Sequence, residues 1–366
     1  MAGLAATPSL PQVRAVLEDG LRQGLAPALS AVVLRHGALL HEGLHGRAGE
    51  DPLQSGHLFD VASLTKVMAT GTLAARLADA GLLPIDAPVS RWLPAFGGKK
   101  APITVRHLLS HSSGLPAWQP LHERLPADRT RAQAALEGLL AAVPLEAAPG
   151  ARPQYSDLGF LALGLLLERL GGATLDRLCE ERVLLPLSLT RTFFRPAQGG
   201  AASRHGPSSF VPTVVRARGE ERRGEVHDDN ARALGGVAGH AGLFSTARDV
   251  AVLGEAWLLA LAGRSSFLTA QTASAFAARD KTPRSHRALA WDRPSGDAPA
   301  IGSRLGMGDR GAIGHLGFTG CSLWLDLDAG LSCALLTSHC PAVGHTEHIQ
   351  AFRRRFHDAV AEALGI

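Results

Sequence analysis

The apolar patterning of this chain changes period twice, and that order restricts its architecture more than any single motif does. Near the N-terminus, Ser30–Arg35 and Ala38–Glu42 read as strands joined by a hairpin at His36-Gly37. Near the C-terminus, Ala312–Phe318, Ser322–Asp326 and Leu331–Thr337 read as three more, with a turn at Asp328-Ala-Gly330. Between them the periodicity is helical. One candidate helix runs from Ser63 to Ala80 and is stopped by Gly81 and Pro84. Others cover 104–110, 128–142, 156–170 and 174–184, and a further one starts near Thr246, where Thr246-Ala-Arg-Asp249 has the pattern of a capping box. A helix over about 8–22, with Val13, Val16, Leu17 and Leu21 on one face, and another over 345–364 close the two ends. Strands so far apart in sequence bury their faces by sharing a sheet. The expected fold is therefore α+β, an antiparallel sheet flanked by N- and C-terminal helices with a mostly α-helical insertion. Residues 1–62 and about 265–366 would form the α/β subdomain, and about 63–264 the helical one, whose longest loop spans roughly 195–235.

Composition narrows the function. The chain has 366 residues, 46% hydrophobic and 19% charged, which suits a large buried core and excludes disorder. The net charge is only +4. Its densest basic stretch, Arg191 to Arg223, is diluted by Glu220, Glu221 and Glu225, so no concentrated basic face for nucleic acid is expected. Cys179, Cys321, Cys333 and Cys340 form no C-x-x-C pair and read as reduced structural thiols. The N-terminus lacks a basic region followed by an apolar one, and the longest uncharged apolar run, Leu158–Leu167, is too short to span a bilayer. A cytoplasmic protein without membrane or nucleic-acid partners is the expectation, and its oligomeric state is not indicated.

Scarce residues show where chemistry is concentrated. Tyr155 is the only tyrosine, Asn230 the only asparagine, and Lys66, Lys99, Lys100 and Lys281 the only lysines. No nucleophile elbow and no Walker A loop occurs. His107 and His111 have i, i+4 spacing but no third ligand nearby, so neither a metal nor a cofactor is expected. Ser63-Leu-Thr-Lys66 is different: only this lysine has a serine three residues upstream. On a helix the two side chains share a face, and an amine beside a hydroxyl can serve as its base when desolvated. Tyr155-Ser156-Asp157 precedes an apolar helix, where a tyrosine near Lys66 could shuttle a proton. Gly314-His315-Leu316-Gly317-Phe318-Thr319-Gly320 puts glycines in a strand pattern, a sign of close backbone approach by a ligand or another chain.

Together, Ser63-x-x-Lys66, Tyr155-x-Asp157 and His315-x-Gly317 resemble the serine β-lactamase and penicillin-binding-protein-like superfamily. Within it they are closest in pattern to class C β-lactamases, D-peptide hydrolases and related esterases. Gaps of 92 and 160 residues separate the three motifs, in the family's order. The stretches from Ile103 to Pro116, Tyr155 to Phe160 and Gly242 to Asp249 add to the likeness, which covers about residues 12–360. The resemblance implies an acyl-enzyme on Ser63, with Lys66 and Tyr155 sharing the base and acid work. It also implies an oxyanion hole made of the Ser63 and Phe318 backbone N–H groups.

Two departures from the family pattern carry weight. Asp157 stands where β-lactamases usually have Asn, and a carboxylate only accepts, so it would orient Lys66 or hold it charged. His315 stands where they usually have Lys, and a mostly neutral imidazole weakens recognition of a substrate carboxylate. The expected activity is hydrolysis of a small ester or amide with weak or no β-lactamase activity. The alternatives are a D-peptide hydrolase, carboxypeptidase or β-lactamase, or a non-catalytic binding or sensor protein on the same fold. Asp157, His315 and Gly317 are expected on the substrate side of the cleft. His227 and Asn230 precede the glycine-rich run Gly235–Gly242 and join them as candidates, with Asn230 either capping its loop or touching substrate.

Overall fold

The two ends of the chain meet in one sheet. The computed structural model describes residues 8–194, 205–215, 220–296, 299–338 and 346–366. In chain order, α1 (Pro11–Arg22), β1 (Ala28–Arg35), β2 (Ala38–Ala48) and the short β3 (Asp51–Pro52) and β4 (Phe59–Asp60) come first. The middle holds α2 (Thr72–Asp79), α3 (Val105–Leu109), α4 (Arg129–Ala142), α5 (Asp157–Gly171) and α6 (Leu175–Cys179). After them come β5 (Phe193–Phe194), β6 (Thr213–Val215), β7 (Glu220–Arg222), α7 (Asp229–Ala233) and β8 (Leu243–Ser245). The last part holds α8 (Ala247–Leu261), α9 (Ala270–Ala277), β9 (Ala312–Leu316), β10 (Ser322–Asp326), β11 (Leu331–Thr337) and α10 (Glu347–Leu364). The six-stranded sheet runs β3-β2-β1-β11-β10-β9, antiparallel throughout, so β1 and β11 join the two ends at its centre.

Both faces of this sheet are covered, which is why β1 and β11 read as continuous apolar runs. Along β1, Leu29, Ala31 and Val33 pack with α1 and α10 in one core, while Ala28, Val32 and Leu34 face a larger core that continues into the helical part. β11 alternates in the same way, Leu331, Cys333 and Leu335 against Ala334 and Leu336. α8 covers the second face, and Gly254 on it leaves room for Ser332 Oγ and the Leu325 side chain. α5 is buried from Leu158 to Leu167, apolar on every side because helices and loops surround it. Among the described residues no single helix is long and apolar enough to cross a membrane.

Several elements depart from expectation. The helix expected from Ser63 to Ala80 is continuous only as α2. Before it come a 3-10 turn, Ala62–Leu64, and a π-helical segment, Lys66–Gly71. Thr72 Oγ1 donates to Val67 O at 2.6 Å across the widened turn, and Gly71 is obligatory because a Cβ there would sit 2.4 Å from Ala290 Cβ. β2 runs on to Ala48, paired with β1 as far as Gly46 and with β3 at Arg47 and Ala48. The capping box at Thr246 forms only in half: Thr246 Oγ1 accepts from Asp249 N, but the Asp249 carboxylate turns to Arg191 N and Thr192 Oγ1. The loop around 195–235 carries α7 and the β6–β7 pair within its described part. Cys179, Cys321 and Cys333 are buried and unpaired, while Cys340 and the expected helix start at 345 lie outside the described residues.

Candidate active site

Ser63 sits in the 3-10 turn that follows β4. Ala62, just before it, has φ +47°, an uncommon value for a residue with a side chain. The Asp60 carboxylate holds this conformation by accepting from Ala62 N at 2.8 Å and from His227 N at 2.8 Å. Such strain persists only where the surroundings over-determine it, and here it turns the Ser63 hydroxyl toward Lys66.

Lys66 is fully buried, and its Nζ donates to Ser63 Oγ at 2.9 Å and to His240 O at 3.1 Å. A buried ammonium without a counter-charge is costly, and Asp157 supplies one with Oδ1 2.7 Å from Nζ. Burial by itself pulls the Lys66 pKa down, but Asp157 and then Tyr155 outweigh it, and the net displacement is upward. Lys66 therefore rests as an ammonium. Tyr155 lies beside it, with its ring centroid 4.9 Å from Nζ and its hydroxyl hydrogen-bonded to Lys66 and Ser63. Burial pushes the Tyr155 phenol pKa up against the pull of Lys66.

The residues around Tyr155 account for its placement. Ser156 caps α5 by accepting from Gly159 N at 3.1 Å and anchors itself by donating to Pro116 O at 2.6 Å. That cap leaves Tyr155 just outside the helix and Asp157 in its first turn. His111 stacks on the Tyr155 ring at 4.5 Å, and its Nδ1 accepts from Ser156 N at 3.0 Å. Burial holds the His111 pKa well below the ordinary histidine value, so the ring under Tyr155 is neutral. His107, its i, i+4 neighbour, caps α3 by pairing with Thr104 instead.

The glycine-rich run Gly235–Gly242 serves backbone contact. A Cβ on Gly239 would lie 2.0 Å from Phe160 O, so only glycine lets the run press against α5. Thr70 Oγ1 then reaches Gly239 O at 2.7 Å, and Thr65 Oγ1 accepts from Leu243 N at 3.1 Å. His240 Nε2 bonds Asp228 Oδ1 at 2.8 Å. Burial would raise the Asp228 carboxyl, but His240 overrides it and holds that carboxyl far below the usual range. Donor atoms of Asp157, Asp228 and His240 lie within 4.8 Å of one another, the one such grouping among the described residues. The Lys66 ammonium already supplies a cation there, in contact with Asp157.

β9 brings in the third motif. A Cβ on Gly317 would meet Val61 O at 2.6 Å, so glycine is needed for β9 to approach the turn that carries Ser63. Thr319 Oγ1 ties the two segments by donating to Asp60 O at 2.8 Å. Among the described residues neither the Ser63 N–H nor the Phe318 N–H finds a protein acceptor, so both are free to donate to a bound group. The Phe318 side chain is half exposed, with its ring 5.4 Å from that of His227. His315 lies 6.0 Å from the Tyr155 ring, and its Nδ1 donates to Leu316 O at 2.8 Å. Burial lowers its pKa to about 4, so it is neutral near pH 7.

Asn230 stands apart from this group. It is fully buried, its Oδ1 accepts from His122 N at 2.8 Å, and its Nδ2 donates to Gln119 O at 2.9 Å. Of the two expectations for Asn230, a local structural bond or a substrate contact, its hydrogen bonds are structural, though they reach across the chain: Asn230 latches α7 to the 119–122 segment. Asp60, His111 and the Asp228–His240 pair were not picked out as site residues from the sequence. His111 left a signal there in its spacing from His107, and His240 in its place within the Gly235–Gly242 run.

A sequence model of the β-lactamase family matches residues 13–351. A Bacillus subtilis (strain 168) protein named N-acetylmuramyl-L-alanine amidase is 31% identical, over 94% of this chain and 85% of its own length. An Escherichia coli (strain K12) protein, provisionally named a D-alanyl-D-alanine carboxypeptidase, is 29% identical over 86% of this chain and 79% of its own. Among solved structures, EstCE1, described as a hydrolase with promiscuous acyltransferase activity, superposes with TM-score 0.76 at 22% identity, covering 96% of this chain and 97% of that one. A penicillin-binding protein homologue from Caulobacter crescentus gives TM-score 0.76 at 19% identity, covering 98% and 99%. Fold, motif order and sequence thus agree over nearly the whole length, and the chain belongs to the β-lactamase family, as a hydrolase of the serine β-lactamase and penicillin-binding-protein type.

Proposed function

We propose that the protein opens an ester or amide through an acyl-Ser63 intermediate, as an esterase-like hydrolase with weak or no β-lactamase activity. The observation that carries this reading is the Ser63 hydroxyl bonded to a fully buried Lys66 and to the only tyrosine in the chain. Ser63 Oγ attacks the carbonyl carbon, and its proton passes to whichever of Lys66 and Tyr155 has lost its own. The two titrate as a coupled pair, so the base belongs to the pair rather than to one residue. The oxyanion is received by the Ser63 and Phe318 amides. The proton then returns from the pair to the leaving oxygen or nitrogen as the acyl bond breaks, and water hydrolyses the acyl-enzyme by the same route.

Neutral His315 supports weak β-lactamase activity, because β9 carries no permanent cation where a β-lactam carboxylate would dock. A second reading, hydrolysis of D-peptides or other substrates carrying a carboxylate, is favoured by a cavity of about 420 Å³ beside Tyr155. Arg284, Arg287, Arg293 and Arg354 line it against one carboxylate, Asp292, and Arg287 lies 5.2 Å over the Tyr155 ring. Turnover of p-nitrophenyl esters, peptides ending in a D-residue with a free carboxylate, and nitrocefin, measured side by side, separates these readings. Ester turnover far above that of nitrocefin is expected. Nitrocefin turnover as fast as ester turnover would overturn the esterase reading, and preference for the D-terminal peptides would favour the second.

A further inference from the structure

We propose that Arg353, on α10, is the positioning residue of the oxyanion hole, setting the direction of the Phe318 N–H from behind the strand. Arg353 is 5% exposed and, among the described residues, has no carboxylate partner. Its guanidinium is spent on three carbonyls of one turn: Nη2 donates to Gly317 O at 2.7 Å and to Cys321 O at 2.9 Å, and Nε to Gly320 O at 3.1 Å. A buried cation compensated only by peptide dipoles is an expensive way to fill a core, and an apolar side chain would fill the space at lower cost. Burial depresses its pKa to about 10, which still leaves it charged at neutral pH.

The peptide plane turns those contacts into a statement about the site. Among the described residues no peptide bond is cis, so the Gly317 C=O and the Phe318 N–H belong to one trans unit and point in opposite directions. Arg353 grips the carbonyl end, so the amide end is aimed away from α10. On that other flank lies the nucleophile turn, with Val61 O against Gly317 and Asp60 O bonded to Thr319. A positive charge bonded to the carbonyl also polarises the amide and strengthens its N–H as a donor. Gly320 N adds a second bond to Gly317 O at 3.0 Å, and Thr337 Oγ1 holds Thr319 O at 2.6 Å. The turn is pinned by its carbonyls, while the Phe318 amide, the one it presents to Ser63, has no protein acceptor.

This inference rests on the acyl-Ser63 reading, so wild-type protein is first shown to hydrolyse a p-nitrophenyl ester and lose that activity in Ser63→Ala. Failure there removes the hydrolase reading itself. Arg353→Lys and Arg353→Gln are then compared for kcat, KM and affinity for an alkyl boronic acid, whose tetrahedral adduct on serine occupies the oxyanion hole. Removing one oxyanion donor outright typically costs 10²–10³ in kcat, so misaiming it is expected to lower kcat by about 10–100-fold. Boronate affinity should fall in parallel and KM stay within about threefold, with Lys retaining more activity than Gln. Unchanged kcat in a folded variant, or a loss carried entirely by KM, overturns the proposal. So does failure of both variants to show cooperative thermal unfolding, which would make Arg353 a residue of the core alone.

Discussion

At the scale of single residues, the site is defined by the charge that Asp157 places on Lys66. Its carboxylate, 2.7 Å from Nζ, outweighs burial and raises the Lys66 pKa, so the base form of the Lys66–Tyr155 pair is scarce near neutrality. kcat/KM for an ester is therefore expected to climb with pH into the alkaline range. Asp157→Asn removes the counter-charge and leaves burial, which lowers an ammonium pKa, as the leading influence. The rising limb of the kcat/KM profile should then move to lower pH, and a limb unmoved or displaced upward would contradict this account of Lys66. Ser63, Lys66, Tyr155, Asp157, His315 and Gly317 were all legible in the sequence because each belongs to a short motif. Asn230 was left between two roles because rarity says nothing about where an amide's bonds go. Arg353 left no local mark, since its partners lie 32 to 36 residues away, and of the two amides that Asp60 accepts from, the one on His227 lies 167 residues away.

At the scale of elements, glycine decides how closely the catalytic segments approach. Gly71, Gly239 and Gly317 each occupy a place where a Cβ would overlap an atom of a facing segment. Gly239→Ala puts a methyl 2.0 Å from Phe160 O, so the run must shift and carry the His240 carbonyl away from Lys66. The expected cost is about 1–3 kcal/mol in a denaturant titration, in the range of overpacked cores, together with reduced ester turnover. An alanine variant with wild-type stability and turnover would show that the contact is not needed. The long elements were readable from periodicity: the five main strands and most helices lie where their patterns do, though β2 runs past its pattern to Ala48 and β9 stops at Leu316, and Ser156 and Asp128 cap as their types suggest. The two-residue strands β3, β4 and β5 are too short to carry a period. The widened turn after Ser63 depends on Thr72 and on close contact with Ala290, which lies far along the chain.

At the scale of the whole molecule, the sheet joins the two ends of the chain and the site lies where its edge strand β9 meets the nucleophile turn. Packing on both faces also buries ionisable groups, and His41, His315 and His357 have pKa values lowered to about 4 by burial. The unfolded chain takes up these protons near pH 6.5 and the folded one only near 4, so each imidazole makes stability fall as pH drops through that window. His357→Gln removes one such proton. Its Tm should fall less steeply than that of wild type between pH 6.5 and 4, whatever its offset at neutral pH, and an equal slope would contradict a neutral buried His357. The central claim, that Ser63 is the nucleophile of a working acyl-transfer site, is tested most directly by intact-mass measurement after treatment with a fluorophosphonate. The account predicts one adduct per chain, mapped to the peptide containing Ser63 and absent in Ser63→Ala. No adduct on the wild-type protein, or an adduct that persists in the alanine variant, would contradict it.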